Sequence, residues 1–163
     1  MIGVFSRLFG KREPAILDAR PADAAALAAV HGACFRHGWS EVEFERLLSD
    51  RSVIAQAGRA DGGRGKIVGF ILSRRAADEA EILTVAVLPA ERGRGLASAL
   101  VRRHLSRLAA LGVARLFLEV EDGNRPALRL YERAGFSQVG RREGYYAKPA
   151  GAAAARVLRR DLA

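Results

Sequence analysis

Val85-Ala86-Val87-Leu88-Pro89-Ala90-Glu91-Arg92-Gly93-Arg94-Gly95-Leu96-Ala97 decides how this chain reads. It runs from strand-forming residues through a glycine-rich turn into a helix. Such a turn points successive backbone N–H groups into one concavity, and the helix that follows adds the positive end of its dipole, so a pyrophosphate bound there meets donors already in place. Gly93 and Gly95 keep any Cβ out of the path of the phosphate oxygens. A dinucleotide fingerprint fits less well, and so does a nucleotide-triphosphate loop, because Gly-Lys-Ser/Thr is absent.

Working outward, the spacing predicts a helix over residues 95–111 with Leu96, Leu100, His104, Leu108 and Leu111 on one face and Arg102, Arg103 and Arg107 on the other. Residues 82–87 and 115–120 read as the strands on either side of it. Residues 52–57 and 67–73 read as a hairpin whose joining stretch, Gly58 to Gly65, supplies turn glycines. Upstream come a strand over 15–20, a helix over 21–34 opened by Pro21, and a helix over 41–49 capped by Ser40 with Glu43 three places on. Downstream, residues 126–134 form a helix closed by Gly135, and 137–142 and 156–162 are strands. This order implies an α/β (α+β) domain with a mixed sheet and one parallel crossover, from the strand at Val87 to that at Leu116.

Half of the 163 residues are hydrophobic, which suits one buried core and is too short for two ordinary domains. Residues 1–13 read as an N-terminal appendage and 14–163 as the domain. No run has the length of a membrane span or the form of a signal peptide, so the expectation is a cytoplasmic protein, monomeric by preference. Cys34 is the one cysteine, which excludes an internal disulfide and a multi-cysteine metal site; no metal is expected. The net charge of +9 is carried almost wholly by arginines spread along the chain, so a solvated basic face is expected rather than a nucleic-acid surface.

Arg92, Gly95 and Ala97 meet the Gln/Arg-x-x-Gly-x-Gly/Ala signature of the GCN5-related N-acetyltransferase (GNAT) superfamily, which the chain resembles from Ala15 onward. Leu116-Phe117-Leu118-Glu119-Val120, Asn124 and residues 127–136 follow in that superfamily's order and spacing. Within it the chain looks most like the bacterial ribosomal-protein alanine N-acetyltransferases of RimI type, on Phe35, Trp39-Ser40, Asp78-Glu79-Ala80, Leu118-Glu119-Val120, Arg141-Arg142 and Tyr145-Tyr146. The resemblance implies the GNAT fold: a mostly antiparallel sheet of six to seven strands, about four helices, and strands splayed at the cofactor site. It implies acetyl-CoA as co-substrate. As acceptor it implies the N-terminal α-amine, an alanine, of a small-subunit ribosomal protein. Another protein terminus, a lysine or a small amine is the alternative, and a non-catalytic RNA- or ribosome-binding module is the competing class.

By the same resemblance Val85, Ala86 and Val87 offer backbone groups to the pantetheine arm, and Arg92, Gly93, Arg94, Gly95, Leu96, Ala97 and Ser98 hold the pyrophosphate. Acetyl transfer needs a neutral amine, a donor for the oxyanion and a proton for the departing thiolate. Glu119 is the candidate proton acceptor, with Glu81 on the neighbouring strand as competitor. Tyr131 is the candidate general acid, its ring packing beside Ala127 and Leu128. Asn124 either bonds the pantetheine or caps the helix after it. Phe35, Trp39, Tyr145 and Tyr146 are candidates for the wall of a peptide groove, with Glu41, Glu43 and Glu45 nearby. The sequence departs from the family's pattern at Gly38, where a proline is frequent, and in the glycine-rich stretch 58–65.

Overall fold

A computed structural model describes residues 12–143 and 154–163. Seven strands, β1 (Ala15–Asp18), β2 (Val53–Arg59), β3 (Ile67–Ala76), β4 (Glu79–Val87), β5 (Arg115–Glu121), β6 (Ser137–Arg142) and β7 (Ala155–Asp161), form one sheet in the order β1-β2-β3-β4-β5-β7-β6. The helices are α1 (Ala24–Cys34), α2 (Glu41–Ser49), α3 (Leu96–Ala110) and α4 (Arg125–Arg133). Only β4 and β5 pair in parallel, and α3 is the crossover that a parallel pair requires.

Period-two alternation sorts the strand side chains onto two faces, and each face has its own core. On one, Leu96, Leu100, Val101 and Leu108 of α3 and Tyr131 of α4 pack against Val68, Ile71, Leu116, Leu118 and Leu158. On the other, Ala24, Leu27 and Val30 of α1 and Phe44 of α2 pack against Ala55, Ala57, Phe70, Leu72 and Ala86. The apolar stripe expected on α3 is buried at Leu96, Leu100, His104 and Leu108, with Arg102, Arg103 and Arg107 exposed. Ser40 accepts from the Glu43 N–H and Glu43 accepts from the Ser40 N–H, closing the expected capping box on α2.

One irregularity shapes the functional end. Leu72 faces Thr84 and Ser73 faces Ile82, so Leu83 is an extra residue on β4. Such a bulge bends its strand. The β4–β5 ladder, Glu79–Arg115, Ala80–Leu116 and Glu81–Phe117, stops just before the bulge. Beyond it β4 stays with β3 and β5 stays with β7, leaving a wedge between them.

Two readings need correction. Gly58 is not a turn residue: β2 runs on to Arg59, and Gly58 pairs with Gly69 of β3. A Cβ on Gly58 would lie 3.0 Å from Leu96 Cδ1 and one on Gly69 3.2 Å from Leu96 Cδ2, so the two glycines form the notch that seats the first residue of α3. Pro21 opens a separate 3-10 turn, Pro21–Asp23, and α1 starts at Ala24, because Asp23 bonds back to the Arg20 N–H.

Candidate active site

At the mouth of the wedge, the chain leaves β4 through a one-turn 3-10 segment, Pro89–Glu91, and enters α3 through Gly95. Gly93 and Gly95 have φ of +76° and +82°, left-handed values that cost an L-residue about 1–2 kcal/mol. A Cβ at either position meets nothing within 4 Å, so both turn an unobstructed backbone to solvent. Arg92 Nε donates to the Val87 carbonyl at 3.1 Å and braces the turn against the strand. Leu96, in its glycine notch, fixes the α3 N-terminus on the sheet. Ala97 and Ser98 follow in the first turn, where backbone N–H groups have no helical partner.

The β4 wall follows from the ladder. Leu88 N–H donates to the Val68 carbonyl, so in antiparallel alternation Leu88 and Ala86 turn their backbone groups to β3 while Val87 and Val85 turn theirs to the wedge. Accordingly the Val87 carbonyl accepts from Arg92 and, at 3.3 Å, from the Cys34 thiol. Of the three β4 residues expected to offer backbone groups, Val85 and Val87 turn theirs to the wedge, whereas Ala86 turns its own to β3 and its side chain to the α1/α2 core.

The β5 wall carries the carboxylates. Glu81 faces Phe117 in the last rung of the β4–β5 ladder, and Glu119 lies two residues beyond Phe117, so both sit on the face covered by α1 and α2. Glu119 Oε1 is 3.1 Å from Arg142 Nη2 of β6, an ion pair that the sequence reading missed. Thr84, just past the bulge and on the same face, was missed as well: its buried hydroxyl has no hydrogen-bond partner among the described residues. A polar side chain at a bulge leaves no periodic signature by which to find it.

Asn124 caps α4, its Oδ1 accepting from the Ala127 N–H at 3.2 Å, which leaves the amide NH₂ free to donate. The preceding turn is held by Asp122, whose carboxylate engages Arg156 and Arg141. Tyr131 is 8% exposed, in edge contact with Phe136, and its hydroxyl has no protein partner among the described residues. Burial pushes it up to about 12, so it keeps its proton across neutral pH. Phe35 is 42% exposed and follows Cys34, whose thiol touches Val87, so the α1–α2 loop borders the wedge. Trp39 is half-buried at the far end of that loop. Tyr145 and Tyr146 lie outside the described residues, as do residues 1–11 of the appendage. Among the described residues no group of three or more His, Cys, Asp or Glu side chains is placed to hold a metal, and no helix is long and apolar enough to cross a membrane.

A strand-turn-helix cradle beside a splayed pair of parallel strands is a combination with known counterparts. Residues 24–136 match the acetyltransferase (GNAT) family. This chain belongs to that family. Two curated GNAT relatives are [ribosomal protein bS18]-alanine N-acetyltransferases. The one from Escherichia coli K12 is 34% identical over 108 residues, 66% of this chain and 70% of the relative. The one from Haemophilus influenzae is 38% identical over 86 residues, 53% of this chain and 58% of the relative. The crystal structure of the Escherichia coli ribosomal-protein-S18-alanine N-acetyltransferase superposes with a TM-score of 0.82 at 27% identity, covering 92% of this chain and 94% of that one. Arabidopsis thaliana NAA60 in complex with acetyl-CoA shares the GNAT fold, with a TM-score of 0.76 at 22% identity over 91% of this chain and 98% of that one.

Proposed function

We propose that this GNAT protein transfers the acetyl group of acetyl-CoA to the α-amine of an N-terminal alanine on a small-subunit ribosomal protein. The observation that carries the reading is the wedge itself: two strands that part at Glu81 and Phe117, with backbone groups of Val85 and Val87 on one wall, Glu119 on the other and the Gly93–Gly95 cradle at its mouth. The residues present fit the carrier. Gly93 and Gly95 put no Cβ into the cradle, and a groove between α3 and α4 begins at Ser98 and includes Arg102, Arg133 and Arg160 for further phosphate charge. Bound there, acetyl-CoA supplies the activated acyl group and a sulfur leaving group.

The chain's own residues account for the protons. An α-amine has an ordinary pKa of about 7.7–8.0 against about 10.4 for lysine, so at pH 7.5 it is neutral on the order of a hundred-fold more often. Glu119, paired with Arg142, takes the amine proton at a carboxylate oxygen, directly or through one water. Tyr131 is held protonated at about 12. Since an ordinary thiol lies near pKa 8.5, outright transfer from Tyr131 would cost about 5 kcal/mol. Its role is therefore to donate a hydrogen bond to the leaving sulfur, while the one proton that Glu119 takes from the amine balances, through solvent, the one that the thiolate gains.

The acceptor rests on the activity of the relatives. A shorter match points elsewhere: a mycothiol acetyltransferase from Mycobacteroides abscessus is 43% identical over 75 residues, but this chain covers only 25% of it. The deciding experiment presents purified protein and acetyl-CoA with peptides varied at the first residue, read by mass spectrometry. Preference for alanine-leading ribosomal peptides is expected; preference for free amino sugars or polyamines would overturn the assignment.

A further inference from the structure

His31 occupies the end of α1, buried at 3% exposure, and it holds both ends of the loop that borders the wedge. Its backbone carbonyl accepts from the Phe35 N–H at 3.0 Å, and its Nδ1 accepts from the Trp39 N–H at 3.1 Å. The imidazole lies against both aromatic rings of that loop, 4.4 Å from Phe35 and 4.7 Å from Trp39 with only 22° between the latter planes. Below, Phe44 of α2 and Phe70 of β3 pack round it. The loop folds back closely enough that a Cβ on Gly38 would lie 3.0 Å from the Gly32 Cα. The loop is tied to the wedge at a third point, Cys34 Sγ to the Val87 carbonyl.

We propose that His31 is the positioning residue for the acceptor side of the site, setting where Phe35 and Trp39 stand by accepting the Trp39 N–H on an unprotonated Nδ1. The proposal rests on the reading of the wedge as an acetyl-transfer site with the α1–α2 loop on its acceptor side. A backbone N–H can only donate, so Nδ1 is the lone-pair nitrogen and Nε2 carries the hydrogen. Burial keeps the ring in that neutral form, with the Glu43 charge pulling the other way. One neutral imidazole thus supplies the stacking surface and the acceptor together. A phenyl ring would keep the first and lose the second, and an asparagine amide, whose oxygen can occupy the Nδ1 position, would do the reverse.

The experiment compares the full chain with H31F and H31N, using acetyl-CoA and an alanine-leading hexapeptide, and follows acrylamide quenching of Trp39, the one tryptophan in the chain. H31F should raise the peptide KM about tenfold, the scale of one lost hydrogen bond, with kcat and acetyl-CoA affinity changed less than about twofold and Trp39 more open to quencher. H31N should return the KM to within about threefold of the parent. Equal KM in H31F and parent with unaltered quenching, or an equal rise in both variants, overturns the positioning role. Should the parent fail to acetylate the peptide at all, the acetyl-transfer reading fails, while the quenching comparison still decides whether the imidazole holds Trp39.

Discussion

His104 gives the sharpest quantitative test of the fold. It sits on α3 with no exposure, facing the sheet, its Nε2 2.6 Å from Ser73 Oγ and its Nδ1 3.2 Å from Gln56 Oε1. A carbonyl oxygen only accepts, so Nδ1 carries the hydrogen and Nε2 accepts from the Ser73 hydroxyl. Burial pushes this imidazole down to about 4 from an ordinary 6.5. The folded value lies below the unfolded one, so between them the unfolded chain binds more protons. The neutral ring's contribution is complete above pH 6.5 and is lost as the pH falls toward 4. The loss reaches about 3 kcal/mol in total and about 2 kcal/mol by pH 5. Urea unfolding at pH 7.5 and pH 5 should therefore show the parent losing about 2 kcal/mol more than H104Q does, although H104Q starts less stable. Comparing the two proteins cancels His31, which burial also lowers, and every carboxylate. If both lose equal stability, His104 is not held neutral and the buried network is misread.

Three other outcomes are expected. Y131F should cut kcat about 10- to 100-fold, the worth of a hydrogen bond to a charged group, with acetyl-CoA affinity nearly constant. Because the Tyr131 hydroxyl has no partner among the described residues, Y131F should melt at or above the parent temperature, and a marked drop would reveal a hidden structural bond. G95E should abolish acetyl-CoA binding in calorimetry by placing a carboxylate at the cradle and a side chain at φ +82°, and normal binding would move the site elsewhere. G69A puts a Cβ 3.0 Å from the Ala86 carbonyl and 3.2 Å from Leu96; thermal unfolding should register about 1–3 kcal/mol of overpacking, and isothermal titration a weaker hold on acetyl-CoA. Unchanged affinity in a destabilised G69A would disconnect the Leu96 seat from the cradle.

Much of this was legible because local chemistry and tertiary packing agree. Ser40 and Glu43 announce α2 four residues from end to end, the α3 stripe repeats with helical period, and Gly135, at φ +87°, stops α4 where a left-handed residue is needed. What escaped depends on strands brought together from far along the chain. Gly58 reads like the turn glycines beside it, because nothing local distinguishes it until Leu96 packs against it. The Leu83 bulge alters neither composition nor period over enough residues to be noticed. Nothing local to Glu119 reveals Arg142, and nothing on α3 reveals that its polar member, His104, meets Ser73 and Gln56. Asn124 proved a cap without ceasing to be a donor.

The sheet separates two packing layers that share almost no side chains. The Leu96 seat, the cradle and Tyr131 belong to the α3/α4 layer, while His31, Phe35, Trp39 and Phe44 belong to the α1/α2 layer. Replacing residues 24–49 wholesale would therefore repack one layer and, on the proposed reading, reach the carrier wall only where Cys34 bonds the Val87 carbonyl. Divergence in which amine is chosen can accumulate on one side of the sheet while the machinery that delivers the acyl group stays unaltered on the other.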